Sequence, residues 1–444
     1  MRHRFPMLAV STLLGFALPA SAEGPPGVAA TRPEMKQFLE ESKHNQPRLP
    51  LPPLTPEERE KAAKGDWSVV NNGRMRKFYL PAELTGAGFL REPDPAMSLG
   101  YPFQTMIFWV VSRCNNCTYC MGHQESKLLA AGLDEGRIAA LDGDWSEFSE
   151  AERVALGFAR KLTLTPQEVK PADVEGLRRF YTEAQVLEIL VITGNFNAMN
   201  RWTGALKIPQ EEHRIYLSAT PEKYRAVESR VAPLDPDRKG ARSCASSSRR
   251  PALESKAEVE AALDAARKRT PLLPLVDEAK ARVVVASDSA PSPLPEWARL
   301  LATFPRVGGA RIALHREAEA KGTLDARLKA EIAYTAARLD RAWYALGAAR
   351  RRLEALGFSE SQVDALDGPL DAFPPAERAA LALARKLTTD PALVVDADIA
   401  ALRAQMPDKQ VAEVIHHVTE AAFFDRVTEA ARLRLEDLGP RPKD

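Results

Sequence analysis

Two cysteines and a histidine stand close together in segment 117–123, which reads C-T-Y-C-M-G-H. A C-x-x-C pair can cycle between a dithiol and a disulfide. The thiolate is the reactive form, so a nearby base or cation must lower the thiol pKa. His123 follows Cys120 by three residues, which places it one turn further along the same helix face. The spacing therefore predicts a redox site made of Cys117, Cys120 and His123, in which the histidine accepts the thiol proton or stabilises the thiolate.

A second segment of the chain has the same frame without the chemistry. Segment 342–348 reads A-W-Y-A-L-G-A, and alanine stands there in place of both cysteines and the histidine. The interval from Cys117 to Ala342, which we call the repeat spacing, is the same at all three positions. The similarity continues without a gap between Gly132–Thr163 and Gly357–Thr388, where more than half of the positions are identical. Such self-similarity is typical of a repeated unit. We interpret the chain as a tandem duplication of one module, of which only the first copy keeps the reactive residues.

The elements that must position the cysteines are predicted to be helices. Residues 104–131 are expected to form one continuous helix, because the corresponding residues 330–356 are rich in Ala, Arg, Leu and Glu, which favour helix. Gly132 and Gly357 stand at the same place in the two copies and are typical of helix ends. No alternating strand pattern recurs. The fold class is therefore predicted to be all-α, with two tandem helical-bundle modules, and the last helices of the two modules are expected at 183–206 and 408–435.

A continuous helix would constrain both a disulfide and a metal site. Residues three apart on a helix have Cβ atoms ~5–6 Å apart, whereas a disulfide needs ~3.5–4.5 Å, so a Cys117–Cys120 bond would be strained and easily reduced. Cys114, Cys117, Cys120 and His123 also offer four plausible zinc ligands. On an intact helix these positions turn about 60° per step, so they would not converge on one ion. A Cys3His metal protein is therefore the weaker alternative.

The chain divides into a leader, two modules and a linker. Residues 1–22 have the pattern of an export signal, with two arginines, a short apolar stretch and an A-S-A cleavage site. We expect an exported protein, periplasmic or extracellular. The first module is predicted over 23–210, the linker over 211–250, and the second module over 251–444.

Composition and cysteine usage narrow the range of functions. The chain has 444 residues with 61 basic and 60 acidic side chains, and the net charge of +1 gives no electrostatic reason to expect nucleic acid or an anionic membrane as a partner. Three of the four cysteines fall within seven residues, whereas a stabilising framework would spread its cysteines along the chain. Cys244 stands alone in the linker, and Cys114 corresponds to Leu339, which is typical of a core position. No cofactor and no resident metal are predicted.

These residues together resemble a known family. C-x-Y-C-x-x-H on a helix, Arg113 four residues before the first cysteine, and N-A-M-N-R ending at Arg201 resemble the carboxymuconolactone decarboxylase superfamily. The cysteine pair resembles its alkylhydroperoxidase D branch. The resemblance covers about residues 45–208 and, in degenerate form, 270–435. It implies helical bundles of the alkylhydroperoxidase D type and a thiol-dependent peroxidase; the pattern of residues 1–22 adds export. In that activity Cys120 attacks the hydroperoxide, Cys117 resolves the sulfenic acid as a disulfide, and His123 assists proton transfer.

Two positions depart from the pattern of this family. The alkylhydroperoxidase D histidine stands four residues after the second cysteine, where this chain has Gln124; the spacing of His123 also resembles the peroxidase-related members. The relay glutamate of the family falls on Thr105, so the relay is incomplete or uses another group. The implied partners are a hydroperoxide and a thiol electron donor. Intrachain pairing of the modules and a possible homo-oligomer are also expected.

One further function stays open beside the peroxidase and the metal protein. Because the second copy lacks the reactive residues, the chain could be a non-catalytic binding or assembly protein of the same fold. Residues that both copies keep are expected to serve as scaffold; among them are Tyr119, Arg113, Glu152, Lys161 and Arg201. His416 and His417 replace Val191 and Ile192 in the second copy and are expected to be structural.

Overall fold

The computed structural model describes residues 29–226 and 252–436, apart from residues 30, 65, 67, 68, 86–93, 144 and 287–290. Every regular element in these ranges is helical, which confirms the all-α fold class. The predicted export signal and Cys244 lie outside the described residues. Within the described ranges, no helix combines the length and the apolar character needed to cross a bilayer.

Twenty α-helices follow one another in the described part of the chain. They are α1 (Arg32–Glu41), α2 (Pro56–Ala63), α3 (Asn71–Tyr79), α4 (Tyr101–Cys114), α5 (Thr118–Ala130), α6 (Glu135–Ala140), α7 (Glu150–Leu164), α8 (Pro171–Arg178), α9 (Glu183–Ala205), α10 (Glu222–Arg225), α11 (Lys256–Arg267), α12 (Glu278–Val285), α13 (Glu296–Leu301), α14 (Val307–Ala320), α15 (Ala326–Asp340), α16 (Trp343–Ala355), α17 (Glu360–Ala365), α18 (Pro375–Thr389), α19 (Asp396–Arg403) and α20 (Asp408–Ala430).

Helices α4–α9 and α15–α20 form two series, which we call the N-terminal and the C-terminal series. Their bounds recur at the repeat spacing to within one position, and α9 and α20 both have 23 residues. The predicted glycine ends are confirmed, because Gly132 and Gly357 follow α5 and α16 with φ of 87° and 84°. A side chain would be strained at that backbone conformation, and glycine adopts it freely.

The expectation of one helix over 104–131 is wrong. The chain leaves helical conformation between α4 and α5, where Asn116 has φ of 50° and Cys117 is extended as the N-cap of α5. Asparagine is one of the few residues that tolerate a left-handed conformation. The C-terminal series breaks at the same place, with Arg341 at φ of 52°. The strong helix propensity of residues 330–356 therefore did not produce one continuous helix, because tertiary packing overrides propensity in both series.

Helices α9 and α20 lie against each other in the core and are buried along most of their length. A helix that is buried all round must be enclosed by other elements. Arg201 on α9 donates a hydrogen bond from Nη2 to the carbonyl oxygen of Thr388 at 3.1 Å. Arg426 on α20 donates the equivalent bond to the carbonyl oxygen of Thr163 at 3.4 Å. The two series therefore meet through reciprocal contacts, as the two halves of a twofold interface do.

Several residues kept in both series make the same contacts in each. Arg113 pairs with Asp142 at 2.9 Å, and the corresponding Arg338 pairs with Asp367 at 2.8 Å. Matching lysine–aspartate pairs join α7 to α8 and α18 to α19, at 2.8 Å in both cases; they are Lys161–Asp173 and Lys386–Asp398. These pairs tie neighbouring helices together and have no contact with a thiol, which is the behaviour of scaffold residues.

The stretch after α9 packs against helices of the N-terminal half. Residues 211–226 fall in the predicted linker, but Arg214, Tyr216 and Tyr224 are buried. The short helix α10 packs against α1. This stretch is therefore part of the N-terminal half of the structure, and it contributes directly to the site described next.

Candidate active site

The two cysteines lie at the start of α5, where the helix break places them side by side. Cys117 is the N-cap, and its Sγ accepts a hydrogen bond from the backbone N–H of Cys120 at 3.3 Å. The hydroxyl oxygen of Thr203 on α9 lies 3.1 Å from each Sγ. Both cysteines are free thiols, and they are only 4% and 2% exposed. The structure therefore brings together the predicted pair in the reduced form, around one shared hydroxyl.

The surroundings of the two thiols push their pKa values in opposite directions. Burial alone would raise the pKa of Cys117, but hydrogen bonds from Cys120 and Thr203 outweigh it and leave the pKa lowered. Burial and the neighbouring Cys117 both raise the pKa of Cys120 well above its usual value. A helix N-terminus also favours a negative charge at the position of Cys117. These directions favour Cys117 as the thiolate, whereas the spacing of His123 favours Cys120.

The start of α16 also holds a negative charge, although it has no cysteine. Ala342 replaces Cys117 there, and the backbone N–H of Trp343 donates to Oε2 of Glu429 at 2.9 Å. Arg269 holds the same carboxylate with two hydrogen bonds at 2.6 and 2.9 Å. The position that corresponds to Glu429 in the N-terminal series is Gly204. A negative group therefore lies at the start of α16, as the Cys117 thiolate would at the start of α5.

His123 lies on α5 as predicted, but it contacts neither thiol. Its Nε2 is 3.0 Å from Oε2 of Glu211, and its Nδ1 is 3.2 Å from Nη2 of Arg214. Because the carboxylate only accepts and the guanidinium only donates, the ring must carry its proton on Nε2 and be neutral. Burial lowers the pKa of His123, although Glu211 acts in the opposite direction. In this geometry His123 orients the residues beside the dithiol and is not itself the base that touches sulfur.

Glu211 is the site residue that the sequence reasoning missed. Its Oε1 accepts hydrogen bonds from the Tyr119 hydroxyl at 2.8 Å and from the backbone N–H of Asn71 at 2.9 Å. Burial alone would raise the pKa of Glu211, but the hydrogen bond from His123 and the charge of Arg214 hold the pKa well below its usual range. A buried carboxylate thus stands beside the histidine, although it comes from a different position than the family pattern gives.

Thr105, the position at which the resemblance would place a relay glutamate, has no part in this network. Its hydroxyl donates to the carbonyl oxygen of Tyr101 in its own helix at 2.8 Å. The repeat spacing could have identified Glu211 from the sequence, since a glutamate, Glu436, also stands at the corresponding position of the second copy. The Tyr344 hydroxyl donates to Glu436 at 3.1 Å, as Tyr119 does to Glu211. Both series keep this tyrosine–glutamate pair, and only the N-terminal series adds the histidine.

The segment after α9 closes over the first turns of α5. Nε2 of Gln210 donates to the carbonyl oxygens of Tyr119 and Thr118 at 2.5 and 3.2 Å. A Cβ atom built on Gly122 would collide with the Gln210 amide nitrogen and lie 2.5 Å from the hydroxyl of Tyr216. Glycine at position 122 permits this close approach, and a larger residue would displace the Gln210 amide. With the segment in place, Cys117 and Cys120 stay almost fully buried, so neither sulfur atom can meet the surface of another protein.

The broken helix removes the geometric objection to a metal site, but the described residues still offer none. Cys114 lies in a different part of the core from Cys117 and Cys120, and His123 is held by Glu211. Among the described residues, no group of three or more His, Cys, Asp or Glu side chains is arranged to hold a metal ion.

The fold and the site define an all-α protein with a buried, reduced dithiol at a helix N-terminus. No family model and no curated protein matches the chain. Two solved structures that resemble it are peroxidase-related proteins. The one from Silicibacter sp. TM1040 is 24% identical, with 38% of this chain and 93% of that chain covered, and the TM-score is 0.32. The other, from Ralstonia eutropha JMP134, is described as an alkylhydroperoxidase AhpD core; it is 21% identical over 38% of this chain and 95% of that chain, with a TM-score of 0.32.

Proposed function

We propose that the chain is a thiol-dependent oxidoreductase of the peroxidase type that reduces small hydroperoxides through Cys117 and Cys120. The observation that carries this function is the placement of two reduced thiols around the single hydroxyl of Thr203, one with a lowered and one with a raised pKa. Such a difference supplies a nucleophile and a proton donor at the same time.

The chemistry follows from these two protonation states. The Cys117 thiolate attacks the terminal oxygen of ROOH, the O–O bond breaks, and Cys117 becomes a sulfenic acid while RO⁻ leaves. The alkoxide takes the proton of the Cys120 thiol, relayed by the Thr203 hydroxyl, and departs as ROH. The Cys120 thiolate then attacks the sulfenic sulfur, and hydroxide leaves as the disulfide forms. An external dithiol reduces the disulfide by exchange and restores both thiols.

The order of the two cysteines is the reverse of that implied by the family resemblance. Thiolate character favours Cys117 as the nucleophile, and Cys120 becomes the resolving thiol. His123, Glu211 and Tyr119 act as positioning residues, because their hydrogen bonds fix the segment over the site and neither ring nitrogen of His123 is free to accept a proton.

A thiol–disulfide exchange protein is the second candidate function. A cysteine at a helix N-terminus in a C-x-x-C pair is the arrangement that such proteins use. Exchange with a protein disulfide, however, requires access to the attacking sulfur. Cys117 is only 4% exposed, under the segment that contains Gln210. A small hydroperoxide needs a much narrower approach than a protein disulfide does, so burial favours the peroxidase.

Two further features of the proposal concern the whole chain. We infer that it arose by tandem duplication, because the helix bounds and several ion pairs recur at the repeat spacing. The C-terminal series then acts as scaffold, since Ala342, Ala345 and Ala348 supply no nucleophile and no base. We also propose export, on the pattern of residues 1–22.

Consumption of tert-butyl hydroperoxide with dithiothreitol as reductant tests the proposed activity. A Cys117→Ser/Cys120→Ser variant is expected to consume no more than the buffer does, with an unfolding temperature within a few degrees of the parent. The matched control, Ala342→Ser/Ala345→Ser, introduces the same two serines at the corresponding positions and should keep full activity. Equal consumption by the cysteine variant and the parent would show that the activity does not belong to this site.

A further inference from the structure

A group of buried polar side chains lies where α3 meets the C-terminal series. Arg76 on α3 is 9% exposed, and His416 on α20 is fully buried. Helix α3 packs against α20. Arg311 on α14 forms a buried ion pair with Glu420 on α20 at 2.9 Å. This group, which we call the Arg76 cluster, also includes Trp202 of α9, whose ring lies 4.7 Å from the Arg76 guanidinium carbon.

The Arg76 cluster adjoins the dithiol through a short chain of contacts. Nε of Arg76 donates to the side-chain oxygen of Asn72 at 3.3 Å, and the backbone N–H of Asn72 donates to the hydroxyl of Tyr119 at 3.2 Å. Tyr119 lies between the two cysteines in sequence. Trp202 precedes Thr203, which contacts both sulfur atoms. The charge of Arg76 also acts on Cys120 and on Glu420.

The cluster contains more donors than its own acceptors can satisfy. In the described part of the chain, Arg76 forms no ion pair, and its lowered pKa of about 10 follows first from burial. The Trp202 indole N–H, Nε of Arg311 and both ring nitrogens of His416 are buried without a hydrogen-bond partner. The one carboxylate, Glu420, is engaged by Arg311. Glu420 therefore serves two guanidinium groups, since its charge raises the pKa of both Arg76 and Arg311. The charge that remains uncompensated is destabilising in a buried cluster unless another anion balances it.

We propose that the Arg76 cluster binds the carboxylate of a small organic-acid hydroperoxide and thereby positions its peroxide group at the dithiol. This inference rests on the proposed peroxidase function and names its substrate class. Two arginines and one glutamate leave one net positive charge in the cluster, which matches one carboxylate. Trp202 and His416 supply further donors, and both halves of the chain contribute to the binding of one ligand. The C-terminal series then has a part in substrate binding although it lacks thiol chemistry.

The residue at position 416 supports this role. The corresponding residue of the N-terminal series is Val191, which is buried in the same kind of helix. An apolar side chain would be the more stable choice at a fully buried position, because burying an unsatisfied polar group costs free energy. A histidine that lowers stability and faces the charges of Arg76 and Arg311 is better explained by a ligand than by packing.

Binding of hexanoate to the reduced full-length protein, measured by titration calorimetry, tests the proposal without turnover; hexanamide is the uncharged control. Hexanoate should bind and should slow alkylation of the thiols by iodoacetamide, whereas hexanamide should bind at least tenfold more weakly. Arg76→Gln should weaken hexanoate binding at least tenfold, since it removes a charge-assisted contact. Lys77→Gln removes the same charge one residue away on the exposed face and should bind as the parent does.

Two further variants separate ligand binding from folding. Arg76→Lys keeps the charge and should retain part of the affinity. His416→Val should weaken hexanoate binding without lowering the unfolding temperature. Equal binding of hexanoate and hexanamide, or unchanged binding by Arg76→Gln, would overturn the proposal and leave a purely structural cluster. A protein that binds hexanoate through Arg76 but consumes no hydroperoxide would retain the carboxylate site and refute the peroxidase. A protein that consumes tert-butyl hydroperoxide but does not bind hexanoate would retain the peroxidase and refute the carboxylate site.

Discussion

Glu211 and His123 are 88 residues apart in the chain, and their side chains meet at 3.0 Å beside the dithiol. The contact exists because the segment after α9 folds back over α5, where Tyr119 and Asn71 hold the same carboxylate. The C-terminal series keeps the tyrosine and the glutamate and lacks the histidine. Glu211 thus combines a scaffold role that both series share with a second role that only the N-terminal series has.

Glu211→Gln should lower kcat for hydroperoxide reduction at least tenfold, because His123 and the covering segment lose the charge that positions them. Since Glu211 raises the pKa of His123, the acid limb of the activity profile should move to lower pH. The matched variant, Glu436→Gln, neutralises the corresponding carboxylate in the C-terminal half and should leave kcat and the profile unchanged. If both variants lose activity equally, the effect is one of stability only.

Cys117 should be alkylated faster than Cys120 near neutral pH. The reason is its lowered pKa at the N-terminus of α5, against the raised pKa of Cys120. The rates are measured with iodoacetamide on the single variants Cys120→Ser and Cys117→Ser, with peptide mapping by mass spectrometry. Thr203→Val should slow the reaction of Cys117, because it removes a hydrogen bond that favours the thiolate. Faster alkylation of Cys120 would restore the order implied by the family resemblance.

A cysteine introduced at the corresponding helix start should be much less reactive. Ala342→Cys would place a thiol at the N-cap of α16, where Glu429 already provides a carboxylate. A like charge disfavours the thiolate and raises its pKa. Alkylation of this thiol, measured in a Cys117→Ser/Cys120→Ser background, should therefore be at least tenfold slower at pH 7 than that of Cys117. Equal rates would mean that the carboxylate at the helix start has no influence on the thiol.

The free energy of unfolding should fall as the pH drops below about 6.5, the usual pKa of histidine. Burial lowers the pKa of His416 and His417 well below that value, so the native state binds fewer protons than the unfolded state. The contribution of the two histidines to the free energy of unfolding is complete above the pKa of histidine in the unfolded chain. Below that pKa it is lost, by up to about 1.4 kcal/mol per pH unit for each histidine.

Urea unfolding at pH 7.5 and pH 5.5 measures this loss. His416→Val/His417→Ile introduces the residues of the N-terminal series, Val191 and Ile192, and should reduce the difference between the two pH values. Lys77→Gln serves as the control and should leave the difference unchanged. A pH dependence that persists fully in the histidine variant would assign it to other buried groups.

The expectation that residues kept in both copies act as scaffold holds for Arg113 and Lys161, whose ion pairs repeat in both series. The same expectation is too simple for Tyr119, which binds Glu211 in the network that also holds His123. Comparison of the copies identifies what was lost from one of them. It does not identify a residue that serves both the fold and the site. The second copy keeps such a residue because the fold needs it, so its role at the site of the first copy stays hidden.

Local signals in the sequence were enough to determine the all-α class, the glycine ends of α5 and α16, and the two cysteines and one histidine that could do chemistry. Helix propensity, glycine conformation and residue type act over a few neighbouring positions, so a single sequence reveals them. The tertiary structure alone decided the break before Cys117, the order of the thiol pKa values, and the contributions of Glu211 and Arg76. Each of these depends on burial or on contacts between residues far apart in the chain, and no local pattern encodes the free energy of such contacts.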